Sequence, residues 1–360
     1  MCERGIAAIL VVLLHLGNAM AIKKYFAIQE FSIPFSFGGG IEFFFVLSGF
    51  IIFHVHKNDI NQPKKIFNYI KKRITRIYPT YWIIFLSVFL LAIIDTALYD
   101  TVPHDLWTLI KALFLIPQDK DIIYGWGTGA PVIGVAWTLQ YEMLFYLFFT
   151  LLILNKWIGI MSGTILLFFS IYLSNNSAIS FPLSFITNYY IILFFMGMMV
   201  SLILSSKKTA FNKPALYLSI GVLILIFTII SYFLIENILG DKITIFYGVA
   251  SSFLILGLAQ FENRGFIIGG QKFIQLLGDS SYALYLIHYP LISILCKLLI
   301  FLKVNEYGYA GAIFSYFFIF GFCIFISIIF HIIIEKPLIA WFRNGRFTFL
   351  KKLTYGFAKK

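Results

Sequence analysis

The chain has 360 residues, of which 60% are hydrophobic and 12% are charged. A soluble protein of this length needs a more polar surface, and the recurring apolar runs are long enough to span a membrane. The net charge of +12 does not indicate a nucleic-acid partner. The basic residues lie between the apolar runs, where membrane topology and lipid headgroups account for them.

The hydropathy pattern predicts an all-α, polytopic membrane protein with about ten transmembrane helices. We expect one transmembrane domain over 1–337 and a basic cytoplasmic tail over 338–360. Alternating loops place 21 of the 28 Lys and Arg on one side, so the positive-inside rule predicts that both termini are cytoplasmic. The predicted spans are 5–22, 38–54, 79–95, 132–154, 157–174, 185–204, 214–235, 243–260, 280–301 and 311–334.

The first span carries two ionisable residues, Arg4 and His15. On a helix they are about 16 Å apart along the axis, so Arg4 at the cytoplasmic surface places His15 near the membrane centre. Residues 1–21 could instead be a signal peptide cleaved after Ala21, but Glu3 offsets Arg4 and leaves no basic leading segment. We also expect that a few residues of the approach to this helix precede residue 1.

The second span places Glu42 at a height close to that of His15, about 18 Å from the inner end near His54. A carboxylate beside an imidazole would orient the ring, and the pair is a candidate general base. The alternative is a structural ion pair that only fastens two helices together. Because burying both groups is costly, we favour a functional role.

The approach to the third span contains Arg73 and Arg76, which share a helix face on the same side as Arg4. Two guanidinium groups on one face can bind phosphates with paired hydrogen bonds, but anchoring by positive charge explains the spacing equally well. His54, His56 and His331 are predicted to be interfacial rather than catalytic.

The longest outside loop, 96–131, contains a mildly amphipathic segment over 105–114 that we expect to lie on the outer membrane surface. The loop is either an ordinary connection or a lid over an acceptor site. The three cysteines are scattered and lack metal-ligand spacing, so no metal site is predicted.

The fourth and ninth spans bring two more ionisable groups to the membrane centre. Glu142 lies about 15 Å below the outer surface and His288 about 12 Å above the inner end. Together with His15 and Glu42, they predict a polar cavity inside the bundle, with catalytic roles for all four residues.

Several motifs together resemble the acyltransferase 3 family of integral membrane O-acyltransferases, over nearly the whole chain. They are Arg4-Gly5-Ile6-Ala7-Ala8 with His15, Phe43–Phe50, Arg73-x-x-Arg76 with Tyr78-Pro79 and Tyr81-Trp82, Trp137-Thr138-Leu139 with Glu142, Ser281-Tyr282 to His288-Tyr289-Pro290, and Glu335-Lys336-Pro337. Each motif is weak alone, but their order and spacing are specific. The Leu-Asp-Gly-Leu lead-in usual in the family is absent before Arg4.

The resemblance implies transfer of an acyl group, often acetyl, from cytoplasmic acyl-CoA to an extracytoplasmic or lipid-linked carbohydrate. It assigns donor binding to Arg4, Arg73, Arg76 and Tyr78, and implies a bacterial inner membrane protein with no permanently bound cofactor. Some family members have an additional extracytoplasmic domain after the last span; none is expected in this sequence, which leaves open whether a partner protein completes the transfer.

A transporter or flippase of a glycan or small acid is the alternative, because ten spans and buried charges fit that class too. Against it, the halves of the chain show no paired broken helices. Arginines aligned with a buried histidine favour a CoA donor instead.

Overall fold

A computed structural model describes residues 2–95, 98–119, 128–174, 179–206, 212–234, 240–266 and 270–344. Every regular element within these ranges is helical, and ten of the described helices are long and apolar enough to cross a membrane. The predicted all-α fold with about ten spans is confirmed. Residues 345–360, most of the predicted tail, lie outside the described residues, and 338–344 form part of a helix.

The helices that correspond to the predicted spans are α1 (Cys2–Ala21), α2 (Gly40–His56), α3 (Ile66–Ile94), α5 (Trp137–Leu154), α6 (Lys156–Leu173), α8 (Tyr190–Ser205), α9 (Pro214–Leu234), α10 (Ile243–Asn263), α12 (Ser281–Phe301) and α13 (Gly308–Phe330). Shorter helices are α4 (Leu106–Leu113), α7 (Leu183–Ile186), α11 (Lys272–Asp279) and α14 (Lys336–Asn344), with a π-helical turn at His331–Glu335 between α13 and α14. We call the face where α1 begins the basic face and the face where it ends the opposite face.

Small residues allow the closest helix pair, α2 and α8, to approach at backbone distance. A Cβ added at Gly49 would lie 2.9 Å from Phe194 Cα, and one added at Gly197 would lie 3.0 Å from the carbonyl carbon of Gly49. Close backbone approach of this kind is the usual means of packing helices in membranes, where the hydrophobic effect does not drive helix association. The two glycines therefore fix the distance between α2 and α8.

The helix α1 lies inside the bundle and packs against α2, α11, α12 and α13. Its apolar side chains Ala8, Val12, Leu16 and Met20 are fully buried. They form one hydrophobic cluster with residues of α12 and α13, among them Leu284, Cys296 and Cys323. This packing leaves the polar side chains of α1 directed to the interior cavities described below.

The segment predicted to lie on the outer surface instead packs against the middle of α3. The last carbonyl groups of α4 accept hydrogen bonds from Tyr78, Tyr81 and Trp82 at 2.9, 2.7 and 2.9 Å. Tyr81 is about 20 Å from the end of α3 at Ile94 on helix geometry. Carbonyl groups without intrahelical partners need donors away from water, and these three side chains supply them.

The third span also begins earlier than predicted, because α3 starts at Ile66 rather than near residue 79. Its 29 residues extend about 43 Å, longer than the roughly 30 Å hydrocarbon core. Arg73 and Arg76 are therefore part of the membrane-crossing helix itself.

Candidate active site

A cavity lies between α1, α2, α3, α5 and α12 towards the basic face. Its charged lining residues are Arg4, Arg76 and Glu142, and we call it the arginine cavity. Ser48, Thr138, Ser281, Tyr282 and Tyr285 add hydroxyl groups. Two guanidinium groups against one carboxylate leave this enclosed space positive, which suits an anionic ligand.

Glu142 is the centre of a network of tyrosines and arginines. The Tyr146 hydroxyl donates a hydrogen bond to Glu142 Oε1. Glu142, Arg76 and Arg73 lie close enough to Arg4 for their charges to act on it. Glu142 thus places one negative charge among three arginine side chains. The structure brings together Arg4, Arg73, Arg76 and Glu142, four of the predicted site residues.

Arg73 differs from Arg76 in its surroundings. Its Nη2 donates to His56 Nε2 at 2.6 Å, and its guanidinium lies over the rings of Tyr69 and Tyr146, 5.4 and 5.5 Å from their centroids. His56 in turn contacts Asp59, with Nδ1 2.8 Å from Oδ2. Since Nε2 accepts from arginine, Nδ1 carries the proton and donates to the carboxylate. Arg73 therefore supports the wall of the arginine cavity.

His56 was predicted to be interfacial, yet it is buried and bridges Asp59 and Arg73. The sequence alone gave no sign of this, because the partners lie on different sides of the turn between α2 and α3. Tyr78 was predicted to bind the donor, but its hydroxyl donates to the Phe114 carbonyl at 2.9 Å. Tyr78 is not among the described residues that line the arginine cavity.

A second cavity lies towards the opposite face. It is lined by His15, and we call it the histidine cavity. Its other polar lining residues are Asn18, Lys24, Tyr25, Thr128, Trp137, Tyr285, Tyr289 and Ser293. The Tyr25 hydroxyl and Ser293 Oγ are 3.0 Å apart and tie the first loop to α12.

His15 and His288 are in contact, with ring centroids 5.3 Å apart. His15 faces the histidine cavity and also packs edge-on against Tyr289, at 5.3 Å between centroids. His288 is 0% exposed, and its Nδ1 donates to the Leu284 carbonyl at 3.0 Å. Its Nε2 has no hydrogen-bond partner among the described residues. The sequence analysis treated the two histidines as separate candidates, but in the structure they form one pair. Of the two, only His15 is open to a ligand.

The predicted contact between His15 and Glu42 is wrong. A Cβ added at Gly40, where α2 begins, would lie 3.2 Å from the Ala7 carbonyl and 3.2 Å from Val11. Because α2 begins at the level of this part of α1, Glu42 lies about 10 Å nearer to the basic face than His15. No hydrogen bond or ion pair joins the two residues, both of which the structure describes.

Glu42 instead occupies the first turn of α2. The ring of Tyr247 of α10 packs against Gly39 at the start of this helix, so Glu42 lies towards α10. An anion at a helix N-terminus is favourably placed. Glu42 is not among the described residues lining either cavity.

The arginine and histidine cavities are neighbours, and Ile41 and Tyr285 line both. The Tyr285 hydroxyl lies 2.8 Å from Thr138 Oγ1 and donates to the Val135 carbonyl at 2.9 Å. Residues of α1, α5 and α12 contribute to both cavities, in the order expected from the direction of each helix. The two cavities therefore lie next to each other along the bundle, one towards each face.

His331, which was predicted to be interfacial, lies near the basic face and pairs with the buried Glu335. His331 Nδ1 and Glu335 Oε2 are 2.8 Å apart within the π-helical turn, and Glu335 is 3% exposed. The charge of Glu335 acts on Tyr282, which lines the arginine cavity. The Glu335-Lys336-Pro337 motif was the sequence signal that could have drawn attention to this pair. The π-helical turn that holds the pair is of a kind frequent at functional sites.

Comparison with known proteins gives two matches. A family described as an acyltransferase domain matches residues 3–332. The exopolysaccharide production protein ExoZ of Rhizobium meliloti (strain 1021) is 27% identical over 267 residues, covering 72% of this chain and 77% of that protein. No solved structure matches the chain.

Proposed function

Because the chain belongs to the acyltransferase 3 family, we propose that it moves an acetyl group from cytoplasmic acyl-CoA to a hydroxyl of an extracytoplasmic or lipid-linked carbohydrate. The chain is an acyltransferase of a multi-pass membrane type, not the transporter that ten spans and buried charges also fit. The observation that carries the proposal is that the arginine and histidine cavities are neighbours, with Ile41 and Tyr285 lining both.

The donor binds in the arginine cavity. Arg4 and Arg76 both line it and are free to pair with the phosphates of CoA, which guanidinium groups bind with short, charge-assisted hydrogen bonds. Glu142 places a negative charge near Arg4, and Arg73 is held behind the cavity by His56. With the nucleotide part at the basic face, the acyl thioester extends towards Tyr285, which lines both cavities.

His15 is the general base. It lines the histidine cavity, whereas His288 is fully buried and cannot reach an acceptor. His15 takes the proton of the acceptor hydroxyl as the oxygen attacks the thioester carbonyl carbon. A C–O bond forms, the C–S bond breaks, and the proton passes to the departing CoA thiolate. The buried His288 ring against His15 restricts the orientation of the base.

The lining of the histidine cavity suits a sugar. Trp137 and Tyr289 offer flat apolar faces, and Asn18, Lys24 and Ser293 offer hydrogen-bonding groups. The similarity to an exopolysaccharide production protein supports a surface polysaccharide or its precursor as the acceptor. A partner protein that presents the glycan at the opposite face is compatible with this cavity.

The orientation follows from the positive-inside rule. The basic face, with Arg4, Lys64 and Lys72, is cytoplasmic, and both termini lie on that side. We place the protein in the bacterial inner membrane, where cytoplasmic acyl-CoA reaches the arginine cavity and the glycan reaches the histidine cavity.

Binding of radiolabelled acetyl-CoA to the purified protein tests the donor assignment. We expect saturable binding that unlabelled CoA displaces and that the Arg4→Ala, Arg76→Ala double variant loses. The matched control is Arg264→Ala, an exposed arginine at the basic face that binds the Asn212 carbonyl outside the cavity. Absence of saturable binding, or equal loss in the control, would remove the donor assignment.

A further inference from the structure

Two hydroxyl groups from different helices are in contact at the wall of the arginine cavity. Thr138, in the first turn of α5, has its Oγ1 2.8 Å from the hydroxyl of Tyr285 in α12. Both groups also reach the Val135 carbonyl, at 3.1 Å from Thr138 and 2.9 Å from Tyr285. The three oxygen atoms form a triangle that contains two hydroxyl protons. The acetyl transfer described above makes no use of them.

The triangle holds one proton more than it needs. The Val135 carbonyl keeps a hydrogen bond when Tyr285 alone donates to it. The Thr138 proton can then turn away from the triangle, because a threonine hydroxyl rotates to suit its acceptor. Tyr285 is 7% exposed, whereas Thr138 is half-buried. Thr138 is therefore the member of the pair that can donate to a ligand while Tyr285 keeps the carbonyl bonded.

The other hydroxyl groups of the arginine cavity are less suited to meet the acyl group. Ser281 and Tyr282 already donate to backbone carbonyl groups, at 2.8 and 3.0 Å. Ser48 lies about 10 Å nearer to the basic face than Ile41, which lines both cavities. Among the described lining residues, Thr138 thus offers a free hydroxyl proton on the side of the arginine cavity where the acyl group is expected.

The hydroxyl pair is also close to the proposed base. The Tyr285 ring is 5.9 Å from the His288 ring between centroids, and His288 in turn contacts His15. Thr138 is bonded to Tyr285, so it lies on the donor side of the same group of side chains. A thioester carbonyl beside Thr138 would be near an acceptor hydroxyl held at His15.

We propose that the Thr138 hydroxyl donates a hydrogen bond to the carbonyl oxygen of the acyl thioester and stabilises the negative charge that develops there. This inference rests on the proposed function and adds a second catalytic residue to it. Donors aimed at a developing oxyanion are among the largest contributions to acyl transfer. Thr138 is the donor because its proton is the one that the triangle does not need.

The step balances without moving the Thr138 proton. As the acceptor oxygen bonds to the carbonyl carbon, His15 takes the acceptor's proton and the π electrons of the C=O bond pass to its oxygen. The C=O bond then re-forms, the C–S bond breaks, and the CoA thiolate takes the proton from His15. Thr138 donates a hydrogen bond to the oxygen throughout and ends in its starting state.

The surroundings of Thr138 strengthen such a hydrogen bond. The Phe44 ring packs edge-on against Tyr285, and Leu139 is buried, so that charge at this place is poorly screened. Thr138 is the second residue of α5, where the aligned peptide groups of the helix leave a partial positive charge. Both features favour a negative oxygen next to the hydroxyl.

The test measures acetyl transfer in inside-out vesicles from the host strain deleted for this gene, with the full chain restored in normal or variant form. Binding of radiolabelled acetyl-CoA and thermal unfolding are measured on the same purified variants. Thr138→Val removes the hydroxyl at similar size, and Thr138→Ser keeps it. The matched control is Thr150→Val in the same helix, whose hydroxyl donates to the Tyr146 carbonyl at 2.8 Å and does not line either cavity.

We expect Thr138→Val to lower the turnover number about 10²–10³-fold, as for loss of one oxyanion donor. Acetyl-CoA binding and the unfolding midpoint should stay near those of the unsubstituted protein, because the hydrogen bond strengthens only as charge develops. Thr138→Ser should restore most of the turnover, and Thr150→Val should transfer normally.

Tyr285→Phe tests the shared proton. Without the phenolic hydroxyl, the Val135 carbonyl competes for the Thr138 proton at 3.1 Å, so turnover should fall. The double variant Thr138→Val, Tyr285→Phe should be no slower than Thr138→Val alone. Losses that multiply would show that the two hydroxyls act separately, and would overturn the shared-proton arrangement.

Transfer by Thr138→Val equal to that of Thr150→Val, with binding retained, would overturn the role of Thr138 and leave acetyl transfer intact. The same follows if Thr138→Ser is as slow as Thr138→Val, or if the loss is confined to stability because the hydroxyls only tie α5 to α12. Absence of chain-dependent transfer by the unsubstituted protein would overturn the proposed function, and the role of Thr138 with it.

Discussion

Arg76 and Arg73 stand three residues apart on α3 but have different surroundings. Arg76 lines the arginine cavity, whereas the Arg73 guanidinium is held by His56, Tyr69 and Tyr146. Their spacing predicts a shared face, which does not reveal that one of them is already engaged. The two arginines should therefore respond differently to substitution.

We expect Arg76→Ala to weaken acetyl-CoA binding about 10- to 150-fold, since a charge-assisted hydrogen bond contributes about 1.5–3 kcal/mol. Arg76→Lys should recover part of the loss, because lysine cannot form paired hydrogen bonds. The unfolding midpoint should stay near that of the unsubstituted protein. Calorimetric titration measures the binding, and an unchanged dissociation constant would contradict the assignment.

Arg73→Ala should chiefly lower stability. It leaves the buried His56 and two aromatic rings without their cation, and an unmatched buried polar group costs about 1–3 kcal/mol. Thermal unfolding in detergent measures the change. A drop in acetyl-CoA affinity as large as that of Arg76→Ala, at unchanged stability, would show that Arg73 also binds the donor.

The identities of the interior polar residues could be predicted from the sequence, because an ionisable group within an apolar run is costly unless used. Which of these residues are in contact with each other could not be predicted from the sequence. The height of Glu42 was counted along its own helix, but the loop before α2 returns along α1 and starts the helix deep in the bundle. The height at which α2 begins depends on how closely its backbone packs against α1. That distance cannot be read from the residue types alone.

Among the elements, the α2–α8 pair depends most directly on glycine. We expect Gly49→Ala to destabilise the protein by about 1–3 kcal/mol, because the new Cβ would overlap the Phe194 backbone, 2.9 Å from its Cα. Gly321→Ala is the matched control in α13, where an added Cβ has nothing within 4 Å. Thermal unfolding of these two variants is the measurement. Equal behaviour of the two variants would mean that the helices are not held at backbone distance.

Helix α4 shows where element prediction reaches its limit. Its amphipathic pattern predicts a helix with one apolar face, and both the helix and its apolar face are compatible with a membrane surface. Its position against α3 depends on Tyr78, Tyr81 and Trp82, which lie 31 to 36 residues before the carbonyl groups at the end of α4 that they donate to. Long-range hydrogen bonds of this kind leave no periodic signal.

For the whole molecule, the ten spans could be predicted because hydropathy and loop charge are properties of the chain alone. The two cavities could not, because each is lined by helices far apart in sequence. Orientation is the property of the whole molecule on which the donor assignment depends.

We expect a cysteine introduced at Lys64 to be protected, and one introduced at Lys303 to be labelled, when intact cells meet a membrane-impermeant thiol reagent. Both positions are exposed, at the basic and opposite faces. The background should lack Cys2, Cys296 and Cys323, the three cysteines of the chain. The reverse pattern would invert the protein and remove the access of cytoplasmic acyl-CoA to the arginine cavity.

The most direct measurement of the central claim is acetyl transfer by His15→Ala in inside-out vesicles, with acetyl-CoA binding measured on the same preparation. We predict that transfer falls about 10²–10⁴-fold, as expected for loss of a general base, while binding is kept. His104→Ala, an exposed histidine that contacts the Tyr99 carbonyl, is the control and should transfer normally. Near-normal transfer by His15→Ala, with transfer abolished by His288→Ala, would contradict the account.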